Sequence, residues 1–338
     1  MKKLLTMLLC ICLSFALVAC CSVANPGDEN IVEKVPNMAI AVDQIKERVV
    51  IYDFDKYQEG DTLDDLEVWE LPVGHAAGVK YREDTVFGDV IIVSGSKSAI
   101  YEYPSKRVIW STKNPGNNPH SIEILPSGNI VIASSTGKTV RLFHTCAILD
   151  GNSTTGGQDY IDYELKGARG VLWDPEYNTL WAIGSRELVA YSIVGSGTEE
   201  RLERIEGLGF TVYPGCPSTG HDITPDYTDS RYLYFAAGAV FRYDKKENTY
   251  APIAHSETFY QADIRGFSNN PNGHYFSTGP LGGTGKFFEN SSKESWLTDT
   301  IIYYWPETVD GQEVIRRADV VSGSSAFYKV RAFYGKYQ

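Results

Sequence analysis

A six-fold recurrence constrains the fold of this chain more than any other feature. Six short segments, roughly 40–60 residues apart, align on apolar residues that are listed here in order: Val79, Ile122, Val171, Ile223, Phe267 and Val330. The residues two positions before these apolar residues form a second column: Ala77, His120, Arg169, His221, Arg265 and Tyr328. Repeats of this length are typical of radial β-architectures, in which equivalent positions of the innermost strands surround one axis. The recurrence therefore predicts a ring of six units, with two His, two Arg and one Tyr around a central pocket.

Each unit reads as four short β-strands. Runs rich in Val, Ile, Tyr, Phe and Trp alternate with turns rich in Gly, Pro, Asn and Asp. One unit, for example, spans residues 120–125, 129–134, 139–143 and 160–165. Two connections are unusually long, residues 207–220 and 280–299, and strand parity places both on the face where the first strands begin. Long loops on a rigid scaffold commonly carry binding residues, so this face is the predicted site.

The two ends of the chain complete the count of strands. The pattern predicts that residues 39–42 form the second strand of a unit. It predicts that residues 326–333 form a first strand, and no further strands follow to complete that unit. Pairing the last strand with the first three would form a sixth blade and remove the exposed sheet edges. The sequence therefore predicts an all-β, six-bladed β-propeller of four-stranded blades over residues 37–338.

The repeat plan resembles the six-bladed β-propeller superfamily. This superfamily includes NHL-repeat, strictosidine-synthase-like and gluconolactonase-like proteins, streptogramin lyase and oligogalacturonate lyase. The stretch PHSIEILPSGNIVIASS, residues 119–135, is especially similar to one of their blades. The chain also resembles an uncharacterised family of secreted bacterial propeller lipoproteins. These resemblances imply a fold and not one activity, since propellers carry unrelated functions.

The N-terminus reads as a targeting segment. Lys2 and Lys3 precede an apolar run that is short for a membrane-spanning helix. The run ends in Leu-Val-Ala-Cys at Cys20, which looks like a bacterial lipobox, although an ordinary secretory leader would also fit. We expect a lipoprotein signal peptide over residues 1–19, a lipid anchor on Cys20 and a flexible tether over residues 20–36. Acyl chains would then hold the protein on a bacterial membrane, outside the cytoplasm.

Net charge limits the classes of partner that the protein can bind, and the cysteine content limits its disulfide bonds. The chain has 31 basic and 43 acidic residues, a net charge of −12. This balance argues against sequence-independent nucleic-acid binding, which needs clustered Lys and Arg. Of the six Cys, only Cys146 and Cys216 lie in the predicted propeller, and the sequence does not decide whether they are bridged. We expect a monomer.

The ring residues allow an enzymatic interpretation. His120 and His221 could be acid and base or ligands of a divalent metal, with Arg169 and Arg265 holding a carboxylate. His and Arg around a propeller axis are similar to oligogalacturonate lyase, which implies a polysaccharide lyase acting on uronic acids. Only two ring positions are His, although His75 could supply a third ligand.

Two non-catalytic interpretations compete with the enzyme. The mouth could bind an anionic small molecule or acidic saccharide, with aromatic rings stacking on sugars. Alternatively, the Arg side chains pair with Asp222, Asp263 or Glu123, and the propeller is a protein-interaction platform. The residues predicted to bind ligand are Arg169, Arg265, Tyr328, Asp222, His75 and Trp296, with Phe287 and Phe288 as further candidates for stacking.

Overall fold

The structure is a six-bladed β-propeller, as the sequence predicts. The computed structural model describes residues 35–145, 158–211, 219–254, 258–259, 263–279 and 296–336. These residues form six antiparallel sheets, each of four strands. In the described part of the chain, no helix is long and apolar enough to cross a membrane.

The first half of the chain supplies blades 1 to 3. Blade 1 contains β1 (Met38–Asp43), β2 (Arg48–Asp53) and β3 (Glu67–Pro72). Blade 2 contains β4 (Ala76–Thr85), β5 (Gly88–Gly95), β6 (Ser98–Glu102) and β7 (Val108–Thr112). Blade 3 contains β8 (Pro119–Ile124), β9 (Ile130–Ser134), β10 (Thr139–Phe143) and β11 (Tyr160–Glu164).

The second half supplies blades 4 to 6 and the closing strand. Blade 4 contains β12 (Gly170–Asp174), β13 (Thr179–Ile183), β14 (Leu188–Val194) and β15 (Arg201–Phe210). Blade 5 contains β16 (Asp222–Pro225), β17 (Tyr232–Ala236), β18 (Val240–Asp244) and β19 (Thr249–Pro252). Blade 6 contains β20 (Gly266–Asn269), β21 (Tyr275–Thr278), β22 (Thr300–Val309) and β23 (Gln312–Val321), and the last strand is β24 (Phe327–Ala332).

Blade 1 is closed by the two ends of the chain. β24 pairs antiparallel with β1, so the order in this sheet is β24, β1, β2, β3. Val330 lies opposite Ala41 in the register. This pairing confirms the predicted closure, and it makes β24 the innermost strand of blade 1.

The first strands surround the axis. Each of β4, β8, β12, β16, β20 and β24 contacts the next in a closed cycle. β8 and β12 are buried along their whole length, whereas most of the outermost strand β11 is exposed. A first strand has neighbouring blades on both sides, which explains why its residues are buried on both faces.

Small residues allow this close approach at the axis. A Cβ atom added to Gly266 would lie 2.8 Å from the Val330 amide nitrogen and 2.9 Å from the Lys329 Cα. One added to Gly78 would lie 2.6 Å from the His120 carbonyl oxygen. Because these neighbours are backbone atoms of the next first strand, no rotamer change can make room.

The structure corrects one local prediction and adds one element that the sequence analysis did not identify. The connection predicted over residues 207–220 begins later, because β15 continues through Phe210 and pairs with β14. A short helix, α1 (Leu63–Leu66), precedes β3. Thr62 and Asp65 form a capping box around its first turn, and both leucines are buried. One turn is too short for helical periodicity to reveal it.

We expect Gly266→Ala to destabilise the domain by about 1–3 kcal/mol, because its methyl group would collide with the backbone of β24. The measurement is urea unfolding followed by tryptophan fluorescence. Gly323→Ala is the matched control, since its Cβ atom would meet nothing closer than the Asp64 Oδ2 at 3.9 Å. Equal stability of the two variants would contradict close packing at the axis.

Candidate functional site

A cavity of about 460 Å³ opens at one end of the axis, where the first strands begin; we call it the mouth. Its lining residues are Gln44, His75, Ala77, Asn118, His120, Arg169, Arg265, Trp296 and Tyr328. Five of the six column residues line this cavity. The sixth, His221, contacts two of the lining residues. The recurrence seen in the sequence is therefore a spatial ring.

Local backbone geometry aims the ring residues inward. In three blades, the column residue directly precedes the first strand, and its backbone amide donates a hydrogen bond to the second strand. The amide nitrogens of Arg169, His221 and Arg265 lie 2.9, 2.7 and 2.8 Å from the carbonyl oxygens of Ile183, Ala236 and Thr278. In β4 and β8, the register shifts at Ala77 and His120. Such irregularities redirect a side chain, here away from the usual alternation along the strand.

His221 lies behind the mouth wall in a hydrogen-bonded network. Its Nδ1 is 3.1 Å from the Tyr328 hydroxyl, and its Nε2 is 2.8 Å from the Arg265 Nη1. A guanidinium can only donate, so Nε2 accepts and the proton resides on Nδ1. Burial, and then the nearby Arg265 and Arg169, lower the pKa of His221 to about 2. This imidazole is neutral at physiological pH.

The imidazole of His120 is buried at the mouth. The residue is 8% exposed, and neither ring nitrogen has a hydrogen-bond partner among the described residues. Its ring centroid lies 5.4 Å from that of Tyr328. Burial, followed by Lys329 and Arg169, holds the pKa of His120 well below its usual value. Buried polar groups normally have partners, so the unpaired ring nitrogens make His120 a candidate for contact with a ligand.

The two guanidinium groups differ in how far they are paired. Arg265 donates from Nη2 to the Asp263 Oδ2 at 2.6 Å, besides its bond to His221. Arg169 donates from Nη1 to the Thr219 hydroxyl at 3.3 Å and has no carboxylate partner among the described residues. In both side chains, Nε is buried and lacks a hydrogen-bond partner in the described part of the protein.

The floor of the mouth is a buried ion cluster. The Lys329 Nζ lies 2.9 Å from the Arg169 carbonyl oxygen and 3.3 Å from the Asp222 Oδ1. Arg331 also donates to that Asp222 oxygen. Asp222, predicted as a ligand-binding residue, is thus 1% exposed and engaged beneath the cavity. Burial lowers the pKa of Lys329 to about 8, against the opposing effect of Asp222.

A second ion cluster fills the axis below the floor. The Lys80 Nζ lies 2.9 Å from the Glu123 Oε2, and Arg82 donates to both Glu123 oxygens at 2.9 and 2.8 Å. Burial lowers the pKa of Lys80 to about 7, although Glu123 raises it. Sequence reasoning missed Lys80, Arg82 and Arg331. The signal was alternation along the first strands, because Lys80 and Arg82 continue the inward column that begins at Gly78.

Among the described residues, cations therefore outnumber anions along the axis. The basic residues are Lys80, Arg82, Arg169, Arg265, Lys329 and Arg331, and the carboxylates are Glu123, Asp222 and Asp263. This surplus of basic side chains favours a positive potential at the mouth, although the whole chain is acidic. Low-dielectric walls strengthen that potential at the mouth.

The donor set does not fit a metal ion. Among the described residues, no group of three or more His, Cys, Asp or Glu is arranged to hold one. The lone pair of the His221 Nε2 already accepts from Arg265. Arg169 and Lys329 add positive charge that repels a divalent cation. The predicted use of His120 and His221 as metal ligands is thus disfavoured by their surroundings.

The other predicted residues have varied positions. His75 is exposed at the edge of the mouth, and Trp296 lines the mouth with 45% of its surface exposed. Sequence reasoning missed Gln44 and Asn118, which have no place in the recurrent column. Cys20, Cys146, Cys216, Phe287 and Phe288 lie outside the described residues.

Comparisons with known proteins identify a family and a fold. The chain belongs to the family of unknown function DUF6528, whose sequence model matches residues 1–280. No curated protein matches the chain. One similar solved structure is that of a functionally unknown protein from Desulfotomaculum acetoxidans DSM 771. It is 12% identical, with a TM-score of 0.50 and 89% of each chain covered. At this identity, the likeness supports the fold alone.

The depressed pKa of His221 predicts destabilisation by acid. Between its ordinary value of 6.5 and its folded value of about 2, the unfolded chain binds a proton that the folded chain does not. Stability should therefore fall as pH falls from 6.5, by about 1.4 kcal/mol per pH unit for this imidazole. The lysines are protonated in both states below pH 6 and add no slope there.

Urea unfolding of the wild type and His221→Gln between pH 4.5 and 6.5 tests this expectation. The slope of unfolding free energy against pH should be smaller in the variant, whatever its absolute stability. Identical slopes would show that the folded protein accepts the proton on His221.

Proposed function

We propose that the mouth binds the carboxylate of a small anionic molecule, in particular an acidic saccharide, without transforming it. The observation that carries this proposal is the pair Arg169 and Arg265 over one cavity, with Arg169 lacking a carboxylate partner among the described residues. A guanidinium group presents parallel N–H donors that match a carboxylate. The alternative functions are a polysaccharide lyase that acts on uronic acids and a protein-interaction platform.

The remaining donors are placed to complete a carboxylate site. Arg169 lines the cavity and makes one side-chain hydrogen bond among the described residues, from Nη1 to Thr219, so its guanidinium has further N–H donors for a ligand. Asp263 and His221 hold the Arg265 guanidinium in place, which reduces the entropy lost on binding. The neutral His120 ring can donate or accept one further hydrogen bond.

The size and walls of the mouth suit a sugar acid. A volume of about 460 Å³ is within the range of small-molecule sites. The exposed indole of Trp296 offers an apolar plane at one wall, while Gln44 and Asn118 offer amide groups. Charged, apolar and amide surfaces therefore meet in one cavity, as a uronic acid would require.

His120 is the observation that favours the lyase alternative. A base that abstracts a proton beside a carboxylate needs a free nitrogen and a neighbouring cation, and His120 has both. However, its lowered pKa makes it a weak base at neutral pH. His221, the other predicted catalytic residue, already uses both ring nitrogens. Binding without turnover, by contrast, does not require His120 or His221 to change its protonation state.

We also propose that Cys20 bears the lipid anchor expected from the sequence, so that the protein would capture its ligand at a bacterial membrane.

We expect glucuronate to bind to the wild type and glucose, which lacks the carboxylate, not to bind. Arg169→Ala should weaken glucuronate binding about ten- to hundred-fold, the effect of losing a charged hydrogen bond. Isothermal titration calorimetry provides the affinities. Arg107→Ala is the matched control, because this exposed guanidinium pairs with Glu102 away from the mouth.

Three results would count against binding without turnover. Failure of glucuronate and of other uronic acids to bind would refute the acidic-saccharide proposal. Unchanged affinity of Arg169→Ala for glucuronate would show that Arg169 does not bind the carboxylate. Formation of unsaturated products from polyuronates, lost in His120→Ala, would replace the binding proposal with the lyase.

A further inference from the structure

A second cavity lies on the outer edge of the propeller, at the junction of blades 6 and 1; we call it the rim groove. It has a volume of about 680 Å³ and is lined by Phe54, Tyr57, Glu59, Tyr303, Trp305, Arg317 and Ala318. None of these residues lines the mouth. Phe54 directly follows β2, whose end pairs with the start of β1, so the groove lies toward the face opposite the mouth.

Aromatic rings form two walls of the rim groove. Tyr303 and Trp305 are stacked, with centroids 5.0 Å apart and planes inclined by 26°. Tyr57 stands at 58° to Trp305 and 75° to Tyr303, with centroids 6.3 and 6.2 Å away. Their planes therefore meet in a corner and not in one flat platform.

Buried contacts hold this corner in place. The His274 Nδ1 lies 2.6 Å from the Tyr303 hydroxyl. Phe54 is 3% exposed, and its centroid lies 4.6 Å from that of Tyr303. Tyr57 and Trp305 are partly exposed and face the cavity. Tyr303 thus supports the walls from below, and the rings of Tyr57 and Trp305 are accessible from the groove.

The charge of the rim groove is opposite to that of the mouth. Arg317 is neutralised by Asp319 through two hydrogen bonds of 2.6 and 2.8 Å. Glu59 is exposed and has no hydrogen bond or ion pair with any described residue. Burial raises the pKa of Tyr57, and all the charges that add to this rise are carboxylates: Glu59, Asp61 and Asp319. The groove therefore attracts positive charge.

We propose that the rim groove binds a small, free solute bearing a trimethylammonium group. The faces of Trp and Tyr rings attract such a cation, because their quadrupole is negative on the face. Its methyl groups also bury against the rings, and it has no N–H groups that need acceptors. A primary ammonium would require hydrogen-bond acceptors that ring faces supply poorly. The unpaired Glu59 carboxylate adds Coulomb attraction at the edge of the site.

Choline is the probe that tests this proposal, and 3,3-dimethylbutan-1-ol is its uncharged control of the same shape. Calorimetric titration of the full chain should show at least about ten-fold tighter binding of choline, since only the cation interacts with the ring quadrupole. Choline affinity should also decrease as salt is raised, because Glu59 is exposed.

Variants assign the binding to the groove. Trp305→Ala and Tyr57→Ala should each lower choline affinity about ten-fold or more, whereas Trp305→Phe should retain part of it. Glu59→Gln should weaken binding two- to five-fold at low salt, and this exposed substitution cannot be confused with unfolding. Tyr160→Ala is the control, because this exposed aromatic residue lies on blade 3.

Five outcomes would overturn the proposal. Equal affinity for choline and its uncharged analogue would identify a merely apolar groove. Absence of choline binding, or binding that survives Trp305→Ala and Tyr57→Ala, would exclude a trimethylammonium site here. Binding of neutral hexoses in place of choline would identify a sugar platform. Binding to phosphatidylcholine vesicles but not to free choline would identify a lipid surface site.

Discussion

The pairing of β24 with β1 is the interaction on which the rest of this structure depends. It closes the ring of blades, and it also delivers the side chains that join the blades at the axis. Tyr328 contacts His221, Lys329 reaches the His120 and Arg169 carbonyl oxygens, and Arg331 pairs with Asp222. The last strand of the chain thus contacts blades 3, 4 and 5 through the axis. Its loss would expose the edge of β1 and remove the floor of the mouth.

Charge is distributed unevenly in this acidic chain. Basic side chains predominate along the axis, where low-dielectric surroundings make each interaction strong. Carboxylates predominate at the rim groove, where aromatic rings add their own negative faces. An anion and an organic cation would therefore be drawn to different faces of one rigid domain. Net charge alone would have suggested neither site, because it sums contributions that lie far apart.

Much of the fold and part of the mouth could be predicted from the sequence. The column Ala77, His120, Arg169, His221, Arg265 and Tyr328 was identified from spacing, since equivalent positions in a radial repeat must converge. Lys80 and Arg82 do not belong to that column. They occupy alternate positions of β4 that face the axis, and an alignment on the apolar residues does not reveal these positions. The rim groove could not be predicted either, since Tyr57 and Trp305 come from opposite ends of the chain and share no motif.

The sequence by itself determined six units, their four strands and the closing role of residues 326–333, because strand periodicity and turn chemistry are local properties. Tertiary structure alone decided which polar groups are paired. It assigned Asp222 to the lysine and arginine of β24 and Glu123 to Lys80 and Arg82, and it left the His120 ring nitrogens and the Arg169 Nε without a hydrogen-bond partner among the described residues. Such choices depend on distances of a few ångströms between blades that are far apart in the chain. A side chain's availability for a ligand is therefore a property of the packed ring and not of any segment within it.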